Sequence, residues 1–355
     1  MAIISDDEGL RSKNMGKKNP IIKSETIEYD NTFESSIRPK DFDNYIGQSA
    51  LKETLKITLE AARKREKPLD HMLFYGPPGL GKTTIAGVIA SQMGVEIRIT
   101  SAPALERPRD IIGILMSLKG GEILFIDEIH RLNKVAEEIL YPAMEDFALD
   151  MTTGKSQTAK TLRVPIPKFT LIGATTKAGE LSSPLRDRFG MIYRLEFYTI
   201  GELAQVVERT AKILDIKITV EGAKAIAKRS RGTPRIANRL VKRVSDFAIV
   251  KYDGIIDEKV ANESLDILKI DEFGLDTTDR ALLNLIIDKY DGGPVGIETI
   301  AAALSEDDRT IEDVCEPYLL QAGLLQRTPR GRKVSPEGYR HLGIKTVPAE
   351  QTRLF

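Results

Sequence analysis

Through its first half the chain alternates short apolar runs with amphipathic stretches. Met72-Leu73-Phe74-Tyr75, the run inside Gly121–Glu128 and Phe169–Thr176 are nearly continuous, whereas Val95–Thr100 alternates apolar with polar residues. Short continuous runs suit strands buried on both faces, and alternation suits a half-buried one. Between them, Ser49–Lys64 and Thr84–Met93 hold apolar residues at helical spacing. Strands interleaved with helices predict an α/β layer with a parallel sheet over about residues 35–198.

From Thr199 the pattern turns helical. Helices are expected near Gly201–Leu214, Val220–Arg231, Pro234–Tyr252 and Asp257–Leu268, a smaller all-α unit over 199–273. In the third, Thr233 is the expected cap and Pro234 the first helical residue. A last unit, 274–345, begins with helices near Thr278–Tyr290, Ile297–Leu304 and Arg309–Ala322, and Pro317 is expected to kink the third. It closes on two short strands around Pro329-Arg330-Gly331, which is the pattern of a winged helix. Residues 346–355 read as a tail. Residues 1–34 mix charged and small residues without periodicity and read as a disordered extension. The alternative is a basic arm on DNA through Arg11, Lys13, Lys17 and Lys18.

One stretch interrupts the α/β pattern. Ala148–Pro167 has Leu149 and Met151 alternating on one arm and Leu162, Val164 and Ile166 on the other, with a turn at Gly154–Gln157. Pro165 and Pro167 exclude a central strand. An apolar arm without an obvious core to join predicts either a partner site or a mobile surface loop.

The chemistry centres on Gly76-Pro77-Pro78-Gly79-Leu80-Gly81-Lys82-Thr83, which follows a strand and opens a helix. The glycines allow backbone N–H groups to turn onto a phosphate at the positive end of that helix. Lys82 is expected on the β- and γ-phosphates and the Thr83 hydroxyl on Mg²⁺. These residues predict binding of a nucleoside triphosphate. Asp127 and Glu128 end a strand, where neighbouring side chains face opposite ways, so they are expected to take different tasks. Asp127 would orient Mg²⁺ or its waters, and Glu128 would polarise the attacking water. His130 reads as structural. Arg235 falls in a first helical turn, where a cation opposes the helix dipole unless a phosphate lies nearby.

Composition narrows the partners. The 355 residues suit two or three domains, and 52 basic against 52 acidic residues give no bulk attraction to nucleic acid. A DNA contact must therefore come from a local patch, and Arg327, Arg330, Arg332 and Lys333 supply one. A lone Cys315 excludes an internal disulfide framework, and three His make a zinc site a poor expectation. No apolar run approaches the ~20 residues of a membrane span, so a cytoplasmic protein without a membrane partner is expected.

Further stretches are more specific: Ala143-Met144-Glu145-Asp146-Phe147, Pro184-Leu185-Arg186-Asp187-Arg188-Phe189-Gly190, Arg231-Gly232-Thr233-Pro234-Arg235 and Gln326-Arg327-Thr328-Pro329-Arg330-Gly331-Arg332. In this order, from about Ser35 to Gly343, the chain resembles the AAA+ ATPases and, more closely, the RuvB family of bacterial branch-migration motors. The resemblance implies an AAA+ P-loop core with a parallel sheet, an all-α helical lid and a C-terminal winged-helix domain. It implies ATP and Mg²⁺ as cofactors, the nucleotide touching Gly79, Gly81, Lys82, Thr83 and Thr84. Ile37 and Arg38 would close over the adenine, with Tyr198 and Glu145-Asp146-Phe147 near the nucleotide. Thr176 would take the first sensor position, Arg235 the second, and Arg188 would enter the adjacent subunit's site. Arg327 and Arg332 would hold the DNA backbone.

The activity implied is ATP-driven branch migration of four-way (Holliday) junctions by a homo-oligomeric ring, a hexamer by resemblance. The 148–167 hairpin would dock on RuvA, although its tip, Lys155-Ser156-Gln157-Thr158, is polar. Resolution by RuvC would need that separate nuclease. The alternative class is an ATP-switched DNA-binding initiator, which joins the same core to a winged helix. A clamp loader is a third reading, without its Ser-Arg-Cys signature here.

Overall fold

The computed structural model describes residues 36–153 and 160–344. The chain divides into two compact units, Met1–Arg38 and Pro39–Phe355. Only residues 36–38 of the first are described, and every element below lies in the second. The expected extension, the hairpin tip and the tail fall outside the described residues.

In chain order the first part comprises α1 (Ser49–Arg65), β1 (Met72–Tyr75), α2 (Lys82–Met93), β2 (Ile97–Ser101), α3 (Pro108–Ser117), β3 (Ile123–Asp127), α4 (Lys134–Glu145), β4 (Ala148–Thr153), β5 (Lys160–Pro165), β6 (Thr170–Thr175), α5 (Ser183–Arg186) and β7 (Met191–Arg194). Five strands form a sheet of order β2-β3-β6-β1-β7, and every pairing in it is parallel. The sequence reading left α3, α4, α5 and β7 unassigned.

Period two sorts the central strands' side chains between two cores. Met72, Phe74, Ile123, Phe125, Ile172 and Ala174 join α1, α2 and one apolar cluster. Leu73, Leu124, Ile126 and Leu171 point the other way, onto α3 and α4. In the edge strand β2 Ile97 packs against the first cluster whereas Ile99 is exposed, although alternation puts both on one face.

The hairpin is present, with β4 and β5 antiparallel and Met151 opposite Leu162. Its base nevertheless has a core to join, contrary to the sequence reading. Leu149 and Ile166 are buried in the second cluster with Leu140 and Phe169, whereas Leu162, further out, is exposed.

The helical part follows as α6 (Ile200–Ile213), β8 (Lys217–Ile218), α7 (Val220–Lys228), α8 (Pro234–Lys251), β9 (Ile255–Ile256) and α9 (Glu258–Ile267). Thr199 and Glu202 cap α6 reciprocally. The buried faces of these helices (Leu203, Val207, Ile226, Val241, Leu265) continue the first core.

The last part holds α10 (Thr277–Tyr290), α11 (Ile297–Leu304), α12 (Asp308–Thr310), a π turn over Ile311–Cys315, α13 (Glu316–Gln321), β10 (Leu325–Thr328), β11 (Gly331–Val334) and α14 (Pro336–His341), around its own core. The single kinked helix expected at 309–322 is instead divided by the π turn. Pro317 sits in the first turn of α13, where its missing N–H costs nothing, and the wider turn precedes it.

Among the described residues no helix is long and apolar enough to cross a membrane.

Candidate functional site

The loop after β1 turns on glycines at conformations that L side chains rarely adopt. Gly76, Gly79 and Gly81 have φ of 141°, 80° and 93°. A Cβ on Gly76 would fall 2.7 Å from the Leu195 carbonyl oxygen, so the loop has no room for one. Lys82 opens α2 with its side chain buried, and its Nζ donates to the carbonyls of Gly76 (2.7 Å) and Pro77 (2.9 Å). Burial pushes its pKa down to about 8, against the attraction of Asp127 and Glu128. A cation hydrogen-bonded to loop carbonyls beside a helix N-terminus fits a phosphate that would replace them. Thr83 and Thr84 follow in the first turn, half-buried.

Asp127 and Glu128 are separated by a turn rather than by strand alternation. β3 ends at Asp127, and Glu128 has a left-handed φ of 49°. Its N–H donates to Asp127 Oδ1 at 3.0 Å, and its carboxylate pairs with Arg131 at 2.6 Å. A non-glycine residue in that region stores strain, and such residues gather at functional sites.

Thr176 follows β6, beside β1, where the Gly76 N–H donates to the Thr175 carbonyl at 3.2 Å. The buried hydroxyl of Thr175 lies 2.9 Å from His130 Nδ1. That contact was not legible in sequence, because the two residues are far apart in the chain.

Two tyrosines border the loop. Tyr198 was expected there; Tyr45 was not singled out. Their hydroxyls are 3.4 Å apart, and a Cβ on Gly81 would lie 3.2 Å from the Tyr45 hydroxyl. Burial pushes Tyr198 to about 12 and Tyr45 well above the usual phenol range, so both remain neutral donors.

The N-terminus of α8 reaches the same loop. The Arg235 N–H donates to the Gly79 carbonyl at 3.4 Å. Thr233 does not cap α8 with its side chain as expected; its hydroxyl turns back to the Ser230 carbonyl. Ile37 and Arg38 belong to the other compact unit.

Arg188 and Glu145-Asp146-Phe147 lie at the opposite end of the strands. The Met191 N–H donates to the His71 carbonyl where β1 begins, at 3.2 Å. His71 Nε2 lies 3.0 Å from the Met144 carbonyl, and the Phe147 ring packs 6.3 Å from the His71 ring. The four residues of β1, roughly 13 Å, therefore separate this cluster from the phosphate loop of the same chain. Arg188 pairs with Glu145 at 3.2 Å, stacks over the Tyr141 ring at 4.3 Å and donates to the Pro184 carbonyl. Asp146 is engaged by Arg163 of the hairpin.

Three family models cover the described chain in order. They are the Holliday junction DNA helicase RuvB P-loop domain over residues 37–195, the RuvB AAA lid domain over 198–271 and the RuvB C-terminal winged helix domain over 272–343. The chain belongs to the RuvB family. The Holliday junction branch migration complex subunit RuvB of Crocosphaera subtropica is 59% identical over 339 residues, 96% of this chain and 95% of that protein. The protein of the same description from Rippkaea orientalis is 59% identical, over 91% of this chain and 89% of its own. The Thermotoga maritima RuvB Holliday junction branch migration motor superposes with a TM-score of 0.80 at 49% identity, over 88% of this chain and all of that one. A P-loop ATPase of the RuvB family with its lid and winged helix binds nucleotide.

In the winged helix, Arg327 of β10 and Arg332 of β11 are cross-strand partners, so two like charges face each other. Carboxylates from the π turn and α13 resolve the conflict. Glu316 takes Arg332 in a bidentate pair at 2.9 and 3.0 Å, with both side chains buried. Glu312 takes Arg327 at 3.2 Å, on the surface. The sequence reading put both arginines in one exposed patch. Arg332 is instead buried, and a phosphate reaches it only by displacing Glu316.

Proposed function

We propose that this chain is the motor subunit of a ring that drives branch migration of four-way DNA junctions by ATP hydrolysis. The observation that carries the reading is the separation of Lys82 from Arg188 along the same strands, since a nucleotide on Lys82 can meet Arg188 only from a second copy. The rest of the site suits that assignment. Gly79, Gly81, Lys82, Thr83 and Thr84 hold the triphosphate, and Tyr198 borders the base. Thr83 and Asp127 hold Mg²⁺, which offsets charge on the phosphates. Glu128 and Thr176 orient the attacking water. Arg188 meets the neighbour's γ-phosphate, with Glu145, Asp146 and Phe147 on the same entering face. Arg235 reports the γ-phosphate to the lid of residues 199–273.

Lid movement carries the winged helix of residues 274–345 along the backbone. Arg327 contacts phosphates there, joined by Arg332 once it leaves Glu316. The 148–167 hairpin docks on RuvA, RuvC resolves the junction as a separate nuclease, and the ring is a cytoplasmic hexamer.

A labelled synthetic four-way junction, run on a gel with and without ATP and RuvA, tests the reading. The account expects separation into duplexes only with ATP, and far more with RuvA. Binding without remodelling would replace it with an ATP-switched, initiator-like DNA-binding protein.

A further inference from the structure

The Glu312 carboxylate lies between two cations from distant parts of the chain. Its Oε2 is 3.0 Å from Lys177 Nζ and its Oε1 is 3.2 Å from Arg327 Nη2. Lys177 also lies 3.4 Å from Asp313 and 3.7 Å from Glu180. Lys177 and Glu312 are about a quarter exposed (26% and 29%), whereas Arg327 is 57% exposed. The hydrogen bond between Lys177 and Glu312 holds the lysine above, and the carboxyl below, its usual range.

The backbone of Lys177 is tied to the other end of the problem. Its N–H donates to Thr175 Oγ1 at 2.9 Å, and that hydroxyl meets His130 Nδ1 at 2.9 Å. Thr176 lies between Thr175 and Lys177, and His130 is two residues beyond Glu128. A contiguous set of polar contacts thus runs from the Glu128 turn to the wing. At the wing end, the Arg332–Glu316 pair is buried and fixed, and the Arg327–Glu312 pair is exposed and exchangeable.

We propose that Lys177 is a positioning residue that couples the hydrolysis site to the DNA-binding wing by sharing the Glu312 carboxylate with Arg327. With Lys177 seated on one oxygen, Glu312 divides its charge between two cations and holds Arg327 more weakly against a DNA phosphate. With Lys177 withdrawn, Glu312 holds Arg327 back. Movement of the Thr175–Lys177 segment with nucleotide state then changes the grip on DNA. The relay rests on the wing being the DNA interface, and contact alone does not establish coupling, so a mutant cycle is the test.

The full-length protein is titrated onto a fluorescent duplex across a salt series. Lys177→Ala is expected to weaken binding roughly two- to fivefold, the scale of a partly exposed ion pair, and Lys177→Arg to restore it. Glu312→Gln is expected to tighten binding by a similar factor and to abolish the effect of Lys177→Ala. In an Arg327→Ala background neither change should matter. Additive effects, with Lys177→Ala equally harmful whether or not Glu312 or Arg327 is present, would overturn the relay. Should Lys177→Ala fail to fold, Lys177→Gln takes its place in the same cycle. Unchanged affinity and salt slope in Arg327→Ala alone would bring down the wing as DNA interface. A loss there with an additive cycle would remove only the relay.

Discussion

At the carboxyl ends of β1, β3 and β6 lie a glycine-rich loop, a buried lysine, two carboxylates and a pair of threonines. At the amino ends of β1 and β7, one strand length away, lie Arg188, Glu145 and Tyr141. The first end turns backbone and cation toward a phosphate; the second keeps a cation folded onto a carboxylate and an aromatic ring. The first end holds Arg235 beside its loop but not Arg188, and the second holds Arg188 without a phosphate loop at its own end of the sheet. On the proposed reading the split would make hydrolysis depend on assembly, and a subunit outside a ring would hold nucleotide without hydrolysing it.

The largest expected effect comes from the second end. Arg188→Ala should lower ATP turnover by roughly 10³-fold or more, the scale of an arginine finger. Binding of a fluorescent nucleotide should change little. Equal loss of binding and turnover would put Arg188 in its own subunit's site and break the contrast.

The first end carries a pH signature. Lys82 has a pKa of about 8, depressed from 10.5 by burial, and phosphate binding favours the charged form. Nucleotide affinity should therefore be flat below pH 8 and fall above it by up to about tenfold per unit, as proton uptake becomes part of binding. The sign for folding runs the other way: the penalty for the charged lysine is full below about pH 8 and is relieved as pH rises toward 10.5. Calorimetry in buffers of different ionisation enthalpy reads the uptake, and constant affinity through pH 9.5 would mean that Lys82 stays charged.

A smaller effect sharpens the picture of the second end. Glu145→Gln removes the resting partner of Arg188 without touching the phosphate loop. Turnover should change by less than about fivefold, as for a partly exposed pair, and nucleotide affinity in the isolated subunit should not change.

The two ends also differ in how far the sequence disclosed them. The phosphate loop was legible because its chemistry is local, with glycine conformations, the lysine and the helix start all inside eight residues. Asp127 was legible for the same reason. The placement of Glu128 was not, because alternation applies only within a strand and β3 stops one residue earlier. That Glu145 pairs with Arg188 was not legible, because only the three-dimensional path of α4 brings the two together. At the wing, charge pattern alone could not tell Arg327 from Arg332. Their fates are set by Glu312 and Glu316, which reach them from the π turn and α13. Tyr45 carried a faint signal, an aromatic residue just before Gly47 in the lead-in to α1, and only packing reveals its contact with Gly81.

The most direct test of the divided site mixes two inactive proteins. Lys82→Ala subunits retain Arg188 but lack the phosphate lysine, and Arg188→Ala subunits retain the loop but lack the arginine. If the site is completed between copies, mixing them should restore part of the ATP turnover, with a maximum near equal proportions. If each subunit carries a complete site, every mixture should remain as inactive as its components, and the ring account would fall.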